Sequence, residues 1–359
     1  MVGKSLAITC ALLASAQSAR ADIDPCACSP NRPGFFRRDA LTGLWGGKRE
    51  AMRDAGFTAL LTYAGEVFTS TTDLEKRATV AGLAVLTLDA DLTKLVSEHL
   101  GAMHATGLGI HGDGLSSQLM DVYGVSNNVA PEDVRLFEAW IEQPVKMVTV
   151  RAGLLAADQE FILAKHGTVL LNATFGIISQ VPAIVAGPVY PVATPGVSVR
   201  AELPHALVRA AIYDGDQQNS HGIPTALGDD AFMIGEVELE DTLKLGAWHH
   251  TDHRNGVYAI ADRQLDRYVG GFARAGYSSG QPIDVYIDTG IRIGPGPLRE
   301  RDFASVGLAF ARSEMGAQTA IEATYQFQKA WFAIQPDFQL LLLRERTAAV
   351  LAARVVIVL

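Results

Sequence analysis

Glu138, Trp140 and Glu142 alternate with Phe137, Ala139 and Ile141 in VRLFEAWIEQ, and Thr149 and Arg151 alternate with Val148, Val150 and Ala152 shortly after. Side chains of a strand point to opposite faces in turn, so each segment has one aliphatic face and one face of carboxylates, an indole or a guanidinium. Charged donors and acceptors pair well with the hydroxyls of a polar solute. About forty residues without a regular return come next, LLAADQEFILAKHGTVLLNATFGIISQVPAIVAGPVYPVATPG, and loops of that length are usually functional. If the charged faces enclose an interior into which this loop folds, the interior holds water and the aliphatic faces look outward. The pattern is that of a closed sheet around a polar, water-filled interior.

Extending the assignment along the chain gives a lumen face that includes Glu66, Glu138, Trp140, Glu142, Arg151, Lys244, Trp248, Arg274, Asp284, Tyr286 and Asp288, with Asp89, Arg200, Arg209, Glu236, Glu322 and Asp337. The long loop adds Asp158 and Glu160. A cation at the bilayer midplane costs about 2–4 kcal/mol, so these groups must face water or each other. Most of them would brace the wall as opposed charges. Trp140, Arg151, Trp248 and Tyr286, with neighbouring carboxylates, are the candidates for touching solute.

Other chemistry is sparse. His249-His250-x-x-His253 has no carboxylate triad beside it, and neighbouring histidines on a strand diverge, so no metal is expected. No G-x-S-x-G, P-loop or H-E-x-x-H motif appears, which gives no catalytic residues, no cofactor and no enzyme. A net charge of −9 argues against nucleic acid. Cys26 and Cys28 form a C-A-C pair with no third ligand nearby, and their redox state is left open.

The elements that must carry the lumen face come in order. Residues 1–21 read as a signal peptide: Lys4, an apolar run from Leu6 to Ala16, and Ala19-Arg20-Ala21 as the cleavage site. Residues 22–56 form a leader whose LWGGKREAMRDAG is a short helix closed by Gly56. From Phe57 to Leu359 alternating segments recur at short intervals, giving about sixteen antiparallel strands. They are expected at 57–68, 79–91, 100–110, 134–143, 145–153, 195–202, 205–213, 230–239, 242–250, 256–263, 268–277, 281–292, 302–312, 317–328, 330–340 and 347–359. Connections alternate between long ones (111–133, 154–194, 214–229) and mostly tight ones (at Pro144, Pro204, Glu240 and Lys329), as in outer-membrane barrels, with 293–301 on the inner side and 278–280 and 313–316 on the outer as exceptions. A hydrophobic content of 48% and mean hydropathy of +0.16 fit a barrel in which only alternate residues meet lipid.

LFEAWIEQ, VRAGLLAADQEF, LNATFG and PVATPGVSVR resemble the carbohydrate-selective porins of the OprB family. So do LTGLWGGKRE, KLGAWHHT, FARAGYS, VYIDTGI and AIQPDFQ, in order from about residue 39 to about residue 339. The resemblance implies an all-β transmembrane barrel in the bacterial outer membrane that passes monosaccharides or short oligosaccharides by passive diffusion. It implies that the leader sits at the periplasmic mouth and that 154–194 is the constriction loop, folded inward, with ADQEF its best-matched block. Sugars such as glucose are the expected solutes and outer-membrane lipid the surroundings; monomer and homotrimer stay open. The alternatives are a general porin of the same fold, or a non-conducting barrel. The last arises because LLLLRERTAAVLAARVVIVL, at 340–359, departs from the family's closing strand, which ends in an aromatic. Apolar residues on both faces specify register weakly, so closure by this tail is open.

Overall fold

A computed structural model describes residues 38–72, 74, 78–181, 188–216, 228–279, 282–296, 299, 301–314 and 316–359. The expected signal peptide, its cleavage site and the two cysteines of the leader lie outside the described residues.

Sixteen antiparallel strands close into one barrel: β1 (Phe57–Ser70), β2 (Ala78–Asp91), β3 (Ala102–Gly112), β4 (Asp133–Val145), β5 (Val148–Leu155), β6 (Thr194–Leu203), β7 (Ala206–Asp214) and β8 (Ala231–Leu239) make the first half. The second half is β9 (Leu243–His250), β10 (Arg254–Gln264), β11 (Val269–Ser279), β12 (Ile283–Ile293), β13 (Phe303–Ser313), β14 (Gly316–Lys329), β15 (Phe332–Leu342) and β16 (Thr347–Val358). Every expected strand forms, because alternation is strong wherever one face is apolar and the other is not. A short helix, α1 (Lys48–Asp54), precedes β1, and Gly56 closes it at φ +95°. Arg49 reaches across to the carbonyl of Leu359 at 2.9 Å, placing α1 against the chain end. No helix among the described residues is long and apolar enough to cross a membrane; the barrel crosses with strands.

The outward face is apolar. Leu61, Val67, Leu86, Ile141, Val197, Ile212, Leu245, Val257, Ile287, Ile291, Val306, Leu308 and Leu351 are exposed there, the inverse of a soluble sheet. Inward positions are buried and largely polar. Closing the sheet pairs every strand on both sides, which leaves no edge of unsatisfied backbone groups for lipid.

The closing seam is the tail. β16 pairs with β15 on one side and β1 on the other, with Glu66 directly opposite Arg354. Their side chains form a fully buried ion pair between residues far apart in sequence. Ala348, Val350, Ala352, Val356 and Val358 share Arg354's inward face, and Leu351 is exposed outward. The register that apolar alternation leaves weak is therefore held by one polar pair.

Two faces differ from the expected alternation, both at bulges. The pairing of β3 with β4 shifts beside Phe137, which turns inward, packs edge-on against Tyr190 and is only 3% exposed. The pairing of β12 with β13 shifts between Ile283 and Val285. Ile283 is buried, while Asp284 turns away from the lumen and binds Arg312 through both carboxylate oxygens at 2.7–3.0 Å. Asp284 is thus corrected from lumen residue to rim residue; a bulge inserts one residue and re-aims the side chains beside it.

Removing one partner of the seam pair leaves a buried charge uncompensated, which typically costs about 3–5 kcal/mol. Arg354→Met should lower the temperature of the heat-modifiable gel-mobility shift well below that of wild type. The double variant Glu66→Leu, Arg354→Met should recover part of the loss; a double variant as unstable as the single one would contradict the assignment.

Candidate functional site

The described parts of the long loop, 156–181 and 188–193, and the shorter loop 113–132 both enter the barrel from its long-loop end. Leu115, Leu119, Tyr123 and Val125 of the shorter loop are buried, and so are Phe161, Ile162, Leu170, Leu171, Phe175 and Ile178 of the longer. Together with Phe68, Phe232, Phe272, Leu341 and Val350 of the wall they form one apolar cluster inside the lumen.

Wall carboxylates hold the backbone of the long loop. Glu138 accepts from the amide of Ala156 at 3.1 Å, Glu236 from Ile162 at 3.1 Å and Asp262 from His166 at 3.3 Å. Glu322 accepts from the consecutive amides of Leu171 and Asn172 through its two oxygens. Asp262 also binds the imidazole of His166. Arg274 acts in the opposite sense: it donates to the carbonyls of Ile162, Gly176 and Thr174, while Asp288 takes its remaining donors. Tyr286 donates to Asp288 at 2.8 Å and is hydrogen-bonded to the Thr174 hydroxyl at 2.7 Å. Glu66 accepts from Ser126 and Asn128 of the shorter loop, and Asn127 there donates its amide to Leu171 at 2.8 Å, tying the two loops together. A charge-assisted bond to a fixed amide is stronger than a neutral one, and here each also satisfies a loop group that no strand could.

Glycines make the wall's other contribution. A Cβ on Gly307 would stand 2.6 Å from Leu170 and 2.7 Å from Phe175; side chains at Gly270 and Gly276 would overlap His166 and Gln180. Each glycine is a socket for loop side chains. Single-sequence reading gives no sign of this, because a glycine in a strand has no face of its own; the socket exists only once the loop is docked.

The remaining expected residues fall in two groups. Within the loop, Asp158 accepts from the amide of Tyr190 at 3.1 Å, and Glu160 accepts from Ser198 at 2.7 Å and lies 3.7 Å from Arg151. Toward the short-turn end, below the loop, Arg151 binds Glu142 at 2.7 Å and stacks 4.0 Å above the Trp140 ring. His104, on the strand at the other side of β4, stacks on Trp140 at 4.7 Å. Both indole faces are therefore occupied. Trp248 packs near Phe232 and lies across Gly256. Lys244 donates to the carbonyl of Leu163 at 2.9 Å and stands 3.8 Å from Glu238, which is paired with Arg209 at 2.7 Å. Arg200 completes the row, 3.7 Å from Glu142 and 3.9 Å from Glu202.

A wall of alternating charge under an inward loop is the architecture of a diffusion pore, and comparison with known proteins decides its kind. The model of the carbohydrate-selective porin, OprB family, matches residues 75–246. Over that span, just under half of its length, the chain is similar to this family. The fold is that of the high-pH structure of Pseudomonas putida OprB, with TM-score 0.81 at 17% identity, covering 91% of this chain and 100% of that one. The low-pH structure of the same protein gives 0.60 at 17% identity over 90% and 99%. A triple mutant of Rhodopseudomonas blastica porin gives 0.53 at 10% identity over 84% and 100%. No curated protein matches. The family match and the barrel fold are those of a passive, carbohydrate-selective channel of the bacterial outer membrane rather than of an enzyme.

Burial raises the Asp158 carboxyl to about 6 from a usual carboxylate value, outweighing the Tyr190 amide that favours the anion. The folded loop therefore binds a proton that the unfolded chain releases earlier. That stabilisation is full below the unfolded value of about 3.9 and is lost as pH rises through about 6. The melting temperature of wild type, measured against Asp158→Asn, should fall between about pH 4 and pH 7; a pH-independent difference would contradict the linkage.

Filling a socket should release the loop. Gly307→Val should give a folded barrel with larger, noisier single-channel conductance, since a barrel of this strand number needs internal material to narrow it. Conductance equal to wild type in a folded variant would show that docking at Gly307 does not set the pore.

Proposed function

We propose that neutral monosaccharides such as glucose, and short oligosaccharides, are discriminated at the foot of the constriction loop. The observation that carries this is the row Glu142–Arg151–Glu160, with Lys244 and Glu238 further along the wall. Opposite charges alternate there with side chains 8–14% exposed, next to the point where the loop leaves β5. A hydroxyl both donates and accepts, so it can exchange between a carboxylate and a guanidinium without asking either to change charge. Such contacts stay weak enough for release because each charge already has a protein partner. The stacked Trp140 takes part by fixing the Arg151 guanidinium in place, rather than by offering a ring face.

In this reading Glu66, Glu138, Asp158, Arg274, Tyr286 and Asp288 act on solute indirectly, by holding the loops that narrow the lumen. The short-turn end, with α1 beside it, faces the periplasm and the long loops face outside, as the connection lengths support. The exposed aliphatic belt meets outer-membrane lipid, and a signal peptide cut near Ala21 brings the chain there.

Glucose should reduce ion current through the channel in a planar bilayer. Arg151→Ala should weaken that block by about 1–2 kcal/mol, the scale of one charged hydrogen bond, and shift ion preference toward cations. An unchanged glucose dissociation constant alongside the selectivity shift would remove Arg151 from the sugar contacts.

A further inference from the structure

Three guanidiniums stand on consecutive strands at the short-turn end of the lumen: Arg151 on β5, Arg200 on β6 and Arg209 on β7. Their partners are unequal. Arg209 binds Glu236 and Glu238, each at 2.7 Å. Arg151 binds Glu142 at 2.7 Å, with Glu160 at 3.7 Å. Arg200 approaches only the second oxygen of Glu142, at 3.7 Å, and Glu202 at 3.9 Å, whose side chain is 72% exposed. It is itself 8% exposed, and its Nε is buried without a hydrogen-bond partner.

Arg200 also sits directly opposite Arg209 in the pairing of β6 with β7. Like charges across a strand pair are destabilising, and a buried guanidinium short of acceptors is costly. Among the described residues no wall carboxylate fully relieves Arg200, because the nearest is already engaged by Arg151. The position has the chemistry of an anion site that is completed from outside the chain.

The surrounding charges limit which anion fits. Arg151, Arg200, Arg209 and Lys244 face Glu142, Glu160, Glu236, Glu238 and the largely exposed Glu202, so the row carries no excess of positive charge. A planar carboxylate with one charge matches the guanidinium fork. A phosphate, with nearly two charges, would meet the neighbouring glutamates at a disadvantage.

We propose that Arg200 is a docking point for the carboxylate of a sugar acid, so that the channel accepts uronates or aldonates in addition to neutral sugars. The proposal rests on the channel reading above. The polyol part of such a solute meets the same alternating row, and the acid group supplies the acceptor that Arg200 lacks.

The test is block of ion current in a planar bilayer by glucuronate, glucose, acetate and glucose 6-phosphate, on wild type, Arg200→Gln and Arg200→Lys. Wild type should be half-blocked by glucuronate at a concentration at least about threefold lower than by glucose, a small free energy suited to a conducting site. Acetate and the phosphate ester should block more weakly than glucuronate. Arg200→Gln should bring glucuronate block down to the level of glucose block measured in the same variant; Arg200→Lys should retain part of the preference. Glucose block without tighter glucuronate block overturns the proposal and leaves the sugar channel standing. Glucuronate block without glucose block does the opposite. A preference that survives in Arg200→Gln, or tighter block by the phosphate ester, overturns the assignment to Arg200. If the variants do not fold, the wild-type comparison alone decides.

Discussion

Polar groups inside a barrel of this width must be satisfied by something other than lipid, and that constraint shapes the molecule. In the long-loop half the solution is protein. Carboxylates on β4, β8, β10 and β14 accept amides of one loop, and Arg274 on β11 donates to its carbonyls. Wall and loop are incomplete alone, since the wall would bury unpaired charges and the loop would carry unpaired backbone. In the short-turn half the solution is charge pairing across strands, which leaves some hydrogen-bonding capacity toward the lumen. A solute passing from one half to the other meets backbone-saturated groups first and paired side-chain charges second.

The same constraint explains how the chain ends. The last strand is apolar on both faces, and nothing in its alternation favours one register strongly. Arg354 breaks the tie, because only one register places it opposite Glu66 inside the barrel. A slip of one residue would turn the guanidinium into lipid. Arg354 then defines where the strand pairs, and residues 347–358 close the sheet between β15 and β1.

Much of this is legible in the sequence. All sixteen strands are readable from alternation, because each wall residue experiences only two environments, lipid or lumen; that the long loop folds inward is what the family resemblance implies. What alternation does not reveal is the partner of each inward charge. Glu138, Glu322 and Arg274 read equally well as pore lining or as loop anchors, and only the loop's path separates the two. Alternation puts Phe137 and Asp284 on the wrong face for a local reason: a bulge adds one residue without changing composition. The sockets at Gly276 and Gly307, and the sandwich of Trp140 between His104 and Arg151, depend on contacts between distant segments. No spacing in the chain encodes them.

Whether wall carboxylates clasp the loop backbone is tested most directly by amide hydrogen exchange in the folded, detergent-solubilised protein. The amides of Ala156, Ile162, Leu171 and Asn172 should exchange as slowly as those of the neighbouring strands, although no strand pairs with them. Exchange at the rate of an open surface loop, in a barrel whose strand amides remain protected, would contradict the account.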